Sequence, residues 1–259
     1  MDGIVAMLDV SAPSLLIWVG IFTRVAAVAF LLPGMGERGV PARVRLGGAL
    51  ALSIIVAPMV MGGMPETTAT ATATIRVIGA EALAGLFIGI SIRMLIFVVQ
   101  IAGTVAAQSL SVSQMFGGVA SPEPEPIIAT FLTLAVVALA LSAGLHVKVI
   151  GTLAASYEVA PFGLALPAAD VGQWAADTGS AAIDMAIGLA LPFIILSFVY
   201  NLSLGAINRA MPQLMVAFIG APAITGMGIG LLLLATPVIL SVWLEALDTI
   251  LADPFTALP

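Results

Sequence analysis

The sequence predicts an all-α, polytopic membrane protein of about six to eight helices, and its composition and charge distribution carry that expectation. Hydrophobic residues make up 61% of the 259 positions and charged residues only 8%. Mean hydropathy is +1.20, whereas soluble domains carry about 25% charge. The acids and bases cluster between continuous apolar runs instead of alternating with apolar residues. Continuous runs exclude a transmembrane barrel and leave helices, which satisfy their own backbone polar groups in lipid.

The N-terminus, "MDGIVAMLDVSAPSLLIWVG", carries Asp2 and Asp9 and no base before Arg24. It lacks the cationic region of a cleavable signal peptide, so residues 12–32 read as a retained span. Further apolar runs occupy 46–64, 75–110, 127–157, 181–204 and 214–251. The runs 12–32, 46–64 and 181–204 match the ~20 residues that cross a ~30 Å hydrocarbon core. The others are too long. As a helix, 75–110 would extend about 54 Å, so it either breaks near Arg93 or continues out of the bilayer and packs against protein. Gly79, Gly85, Gly89 and Gly103 include small residues four apart, which suits close helix approach. The stretch "TTATATAT" at 67–74 reads as a polar linker, and Pro222 and Pro237 predict that the last run kinks or divides.

Loop charge gives an orientation. The loop "PGMGERGVPARVR" holds Arg38, Arg43 and Arg45, and the stretch "NLSLGAINRAMPQL" holds Arg209. If all the runs are spans, these loops share a side, the cytoplasmic one by the positive-inside rule. Both termini and residues 158–177, all acidic, then lie outside.

Several chemistries are excluded. There is no cysteine and a single histidine, His146, so neither a thiolate nor a histidine-cluster metal site can form. The net charge of −6 offers no basic patch for nucleic acid. No His-Glu-x-x-His zinc site, paired aspartyl-protease motif, Asp array or Ser-His triad is present, so neither catalysis nor a cofactor is expected.

Ionisable residues inside the apolar runs include Arg24, Glu81, Arg93, His146, Lys148 and Asp184. Such residues are functional candidates because burying them is costly. A secondary transporter or channel for a small solute is the alternative function, and it would use facing carboxylates; only Glu81 and Asp184 qualify. An ion pair of Glu81 with Arg24 or Arg93 is the simpler reading. His146 and Lys148 could relay protons, although a lone histidine is more often structural. The stretch "NLSLGAINRAMPQL" reads as a helical hairpin turn in which Gly205 permits close packing, Asn208 caps a helix end and Pro212 starts the next helix. Asn201, about two turns before the bend, is expected to hydrogen-bond a neighbouring helix or subunit.

Four blocks carry a resemblance: "FTRVAAVAFLLPGMGERGVPARVRLGGALALSIIVAP", "AGTVAAQSLSVSQMF", "GLHVKVIGTLAASYEVAPFG" and "LALPFIILSFVYNLSLGAINRAMPQLMVAFIGAP". Together, in order, they resemble the FliR family of flagellar biosynthetic export-gate proteins; the last block is the most specific. The resemblance implies a core subunit of the type III protein export gate in the bacterial inner membrane, within the flagellar basal body. Its implied partners are FliP-like and FliQ-like subunits in one helical hetero-oligomer, FlhB-like and FlhA-like export proteins, and unfolded export substrates. The implied fold is a single membrane-embedded domain over 1–259, with a FliP-like part at 1–179 and a FliQ-like helical hairpin at 180–259.

The residues that match the family are architectural. Arg24, Pro41, Arg43 and Arg45 fall in the first block, and Gly103 and Gln108 in the second. Gly144, His146, Tyr157, Pro161 and Gly163 fall in the third. Pro192, Asn201, Gly205, Asn208, Arg209, Pro212, Gln213, Gly220 and Pro222 fall in the last. The loop after Gln108 is implied to close the pore, and here it spans 111–126. Apolar side chains at a constriction block ions by dewetting, so Met115 and Phe116 are expected to seal the resting gate. Gly117 and Gly118 replace the acid common in relatives, and the "PEPEP" run stiffens the second half of the loop. The "GAPAIT" segment lacks a base that some relatives carry after it.

Overall fold

The computed structural model describes residues 12–37, 39–64, 70–110, 126–211 and 216–255. Among them it is all helical: α1 (Ala12–Leu31), α2 (Ala42–Val60) with a single 3-10 turn behind it (Met61–Gly63), α3 (Ala71–Ser109), α4 (Ile127–Ser142), α5 (Leu145–Val159), α6 (Ala168–Ala210) and α7 (Val216–Ala252). Among the described residues, five helices are long and apolar enough to cross a membrane, or up to six if the bent pair of α4 and α5 counts as a span.

Each overlong run resolves differently. The run around Arg93 does not break: α3 is continuous for 39 residues, or about 58 Å at the usual rise. Its first turn takes in part of the expected linker, because Thr70 Oγ1 accepts the Ala73 N–H at 3.3 Å. A threonine there supplies an acceptor for one of the orphan N–H groups of the helix start. The run 127–157 divides instead, into α4 and α5, with a bend at residues 143–144 between them. Gly144 sits at that bend with φ 78°, in the left-handed region that glycine enters without a Cβ penalty. α6 extends 181–204 at both ends to 43 residues, reaching back into what the sequence suggested was loop. Pro222 and Pro237 lie inside α7 without dividing it.

The chain forms two compact units, the first from Met1–Arg93, Ala143–Thr178 and Asp248–Pro259, the second from Met94–Ser142 and Gly179–Leu247. In the first, α1 and α2 pack together, and Ile21, Val25 and Val28 of α1 are fully buried. Two of the four-apart glycines on α3 let α1 approach closely. A Cβ at Gly85 would collide with the Arg24 carbonyl and with Ala27, and one at Gly89 would stand 2.7 Å from Leu31. This is the small-residue helix contact expected in lipid, where backbone proximity replaces hydrophobic drive. Among the described residues, by contrast, nothing lies within 4 Å of a Cβ added at Gly79.

In the second unit, Gly103 of α3 lies against the backbone of Ala129 in α4, and Gly228 of α7 is filled by Leu110. Trp243 of α7 is fully buried, and its indole N–H donates to the Leu95 carbonyl at 2.9 Å. That bond satisfies a polar atom that would otherwise be stranded in an apolar interior.

Candidate functional site

The inward face of α1 reads Ile21, Arg24, Val25 and Val28, and that of α3 reads Val77, Ala80, Glu81, Ala84 and Ile88, all buried. These are the i, i+3, i+4, i+7 positions of a core stripe, so an arginine and a glutamate occupy places where each helix ordinarily presents an aliphatic side chain. Both are 0% exposed. A buried charge is tolerated only with a partner and a full set of hydrogen bonds.

Here the set is nearly complete. Arg24 Nε donates to Glu81 Oε2 at 2.8 Å and Nη2 to Oε1 at 3.1 Å, a bidentate pair. Nη1 donates to Ser156 Oγ at 2.9 Å, and Nη2 also to the Ala160 carbonyl at 2.8 Å. Glu81 takes two further donors, the Tyr157 hydroxyl at 3.2 Å and the Gly163 backbone N–H at 2.9 Å. Tyr157 also lies face-on to the cation, with the guanidinium carbon 3.7 Å from the ring centroid. Gly163 presents its N–H from φ 71°, which L side chains adopt only at a cost. The network fastens α1, α3, the end of α5 and the turn after it into one unit. Of the two arginines that suit Glu81 by sequence, the partner is Arg24.

Arg93 instead pairs with Glu37 at 2.8 Å. Arg45 holds the same loop from the other side, donating to the Val40 carbonyl at 3.1 Å and the Glu37 carbonyl at 2.6 Å. Lys148 of α5 reaches Asp248 near the end of α7 at 2.6 Å, while His146 is exposed. Thr152 Oγ1 donates to the Leu251 carbonyl at 2.6 Å and Ser91 Oγ to the Pro254 carbonyl at 3.0 Å, which ties down the C-terminal segment.

The remaining family-matched positions are scattered. Pro41 precedes α2, its carbonyl accepting the Val44 and Arg45 N–H groups; Arg43 is exposed beside it. Pro161 lies in the turn that feeds the Glu81 network, and its carbonyl accepts the Leu164 N–H. Gly103 is buried, Gln108 exposed, and Pro192 and Pro222 are exposed within α6 and α7. Gly220 is buried against the Tyr200 hydroxyl. Met115, Phe116, Gly117, Gly118 and Pro212 lie outside the described residues.

Gly205 and Asn208 of the hairpin differ from the sequence expectation. Among the described residues nothing lies within 4 Å of a Cβ at Gly205, so its close approach is not made there; Gly220 makes one instead. Among the described residues, Asn201 Nδ2 donates to the Ser197 carbonyl at 2.8 Å and hydroxyl at 3.3 Å, one turn back in its own helix. Asn208 lies inside the last turn of α6, which runs to Ala210, so it is not the cap. Arg209, in that last turn, opposes the negative end of the helix dipole.

Sequence reasoning passed over Ser156, Ala160 and Glu37. Glu37 alone carried a signal, as the one acid in an arginine-rich loop. Among the described residues no group of three or more His, Cys, Asp or Glu is placed to hold a metal.

The model of the family described as bacterial export proteins, family 1, matches residues 15–250. The chain is 31% identical over 239 residues to the flagellar biosynthetic protein FliR of Caulobacter vibrioides, covering 91% of this chain and 94% of that one. It is 27% identical to the protein of the same name from Escherichia coli, with 90% of each covered. The Bacillus subtilis FliR is 27% identical over 78% of this chain and 79% of its own length.

Proposed function

This chain belongs to the FliR family within the bacterial export proteins, family 1, and from that premise we propose that it is a core subunit of the flagellar type III protein export gate. Unfolded flagellar subunits cross the bacterial inner membrane through the channel it helps to form. The observation that carries this reading is the co-linear match over residues 15–250, on a chain whose long helices keep large apolar side chains such as Phe198, Leu202, Leu233 and Leu234 exposed. Such surfaces on membrane-length helices are covered by lipid or by other subunits.

FliP-like and FliQ-like subunits are the partners in that assembly, with FlhB-like and FlhA-like proteins associated. The segment 180–259 supplies a FliQ-like hairpin: α6 and α7 are joined by the short connection from Ala210 to Val216, and Tyr200 on one meets Gly220 on the other, as antiparallel neighbours do. The remainder, 1–179, is the FliP-like part. No step of the role calls for catalysis or a cofactor. The subunit positions helices, and the Arg24–Glu81 network keeps them in register.

The transporter alternative gains nothing from the site. Glu81 has each oxygen occupied by two donors, so it has no vacant coordination for a travelling ion. Deleting the gene should abolish flagella and motility, and a plasmid copy should restore both. Motile cells after deletion would contradict the reading.

A further inference from the structure

Asp184 is the only charged residue between Asp177 and Arg209, and it is exposed on α6. At about 100° per residue, Ile187, Leu191, Ile195, Phe198 and Leu202 share its side of the helix, and all are exposed. Ala182, Ala186, Ala190 and Phe193 occupy the opposite side and are buried. The carboxylate therefore heads the centre line of an apolar, outward face.

Nothing within its own unit neutralises it. Among the described residues of Met94–Ser142 and Gly179–Leu247 the only base is Arg209, which lies about 37 Å along the same helix. The ion pairs formed elsewhere engage Glu81, Glu37 and Asp248. Lipid is a poor cover, because a charge against hydrocarbon is costly. A second copy in a two-fold pair places like on like, since such a contact repeats the same patch on both sides. A lysine or arginine on an apolar helix satisfies the whole face: its aliphatic stem lies along the leucine and isoleucine side chains while its head meets the carboxylate.

We propose that the Asp184 face of α6 is a docking surface for a helix of a neighbouring, different subunit that carries a lysine or arginine opposite Asp184. This rests on the export-gate reading, which supplies such neighbours; what it adds is the face and the chemistry of the contact.

The test co-expresses the full chain with the FliP-like and FliQ-like proteins and measures recovery of the complex for wild type, Asp184→Asn, Asp184→Leu and Asp184→Lys. Charge reversal should lower recovery about tenfold, with the neutral variants between. The melting temperature of each variant alone in detergent should match wild type, because the side chain is exposed and forms no ion pair among the described residues. Second-site substitutions that rescue Asp184→Lys should change a lysine or arginine of another subunit to an acid or a neutral residue. Full recovery with Asp184→Lys, or undiminished recovery with Asp184→Leu as for a lipid-facing position, overturns the proposal. So do rescues confined to this chain, which would mark a second copy, or a lowered melting temperature of the isolated variant. If wild type itself fails to join those proteins, the export-gate reading falls and takes this inference with it; if wild type joins and Asp184→Lys joins equally, only the inference falls.

Discussion

Arg24 and Glu81, 57 positions apart, form a bidentate ion pair with side-chain exposures of 1% and 0%. Each charge is tolerable only because the other is present. Glu81→Gln or Arg24→Met alone should therefore destabilise the first unit by about 3–5 kcal/mol, since either leaves a charge buried without its counterpart. Replacing both with apolar residues should cost less than either single change. Thermal unfolding in detergent reads the difference, and additive losses would mean that the two side chains do not act as a pair.

The glycines of α3 divide into those that touch a neighbour and one that does not. Gly85→Val and Gly103→Val should each cost about 1–3 kcal/mol by forcing a helix aside, as the collisions with Arg24 and Ala129 require. Gly79→Ala, in open space, should be neutral or stabilising by up to about 1 kcal/mol through helix propensity. Equal losses at all of these positions would show that backbone conformation, and not close approach, governs them.

Gly163→Ala should destabilise by about 1–2 kcal/mol, because φ 71° is a left-handed conformation that a Cβ penalises. The loss should be coupled to Glu81, whose carboxylate the Gly163 N–H holds. In a Glu81→Gln background the same change should cost less, and an unchanged cost would separate the turn from the network.

The Lys148–Asp248 pair is short, at 2.6 Å, but its side chains are 36% and 50% exposed. Exposed pairs contribute about 0–1 kcal/mol and are screened by salt. Asp248→Asn should therefore shift the melting temperature little, and less still in high salt; a large loss would mean that the C-terminal segment depends on this pair more than on the Thr152 and Ser91 bonds.

Met115→Gly with Phe116→Gly should increase passive ion leak through the assembled gate while leaving assembly intact, as dewetting by apolar side chains demands. Conductance of the purified complex in planar bilayers measures it. Wild-type conductance in the double variant would exclude these residues from the seal.

How far the sequence was legible depended on what each feature needs. Membrane-length helices follow from composition alone, and the close approach of α1 at Gly85 and Gly89 from small residues spaced four apart. The break at Gly144 was hidden, because one glycine in an apolar run is as compatible with a helix as with a bend, and only its positive φ decides. The partner of Glu81 was left open between two arginines, since contacts across 57 positions leave no periodic trace. Ser156 and the Ala160 carbonyl join the network through the fold, which no local pattern reports. Asn201 reaches the Ser197 carbonyl and hydroxyl one turn back, the kind of local bond a side-chain amide makes to its own helix.

A subunit of an export gate and a transporter that works alone differ in what they purify with. Purifying this chain from cells together with the FliP-like and FliQ-like proteins, and imaging what elutes, separates the two. One stable hetero-oligomer is expected, in which this chain occupies a place beside both. A chain that elutes alone as a monomer or homodimer and moves a small solute in liposomes would contradict it.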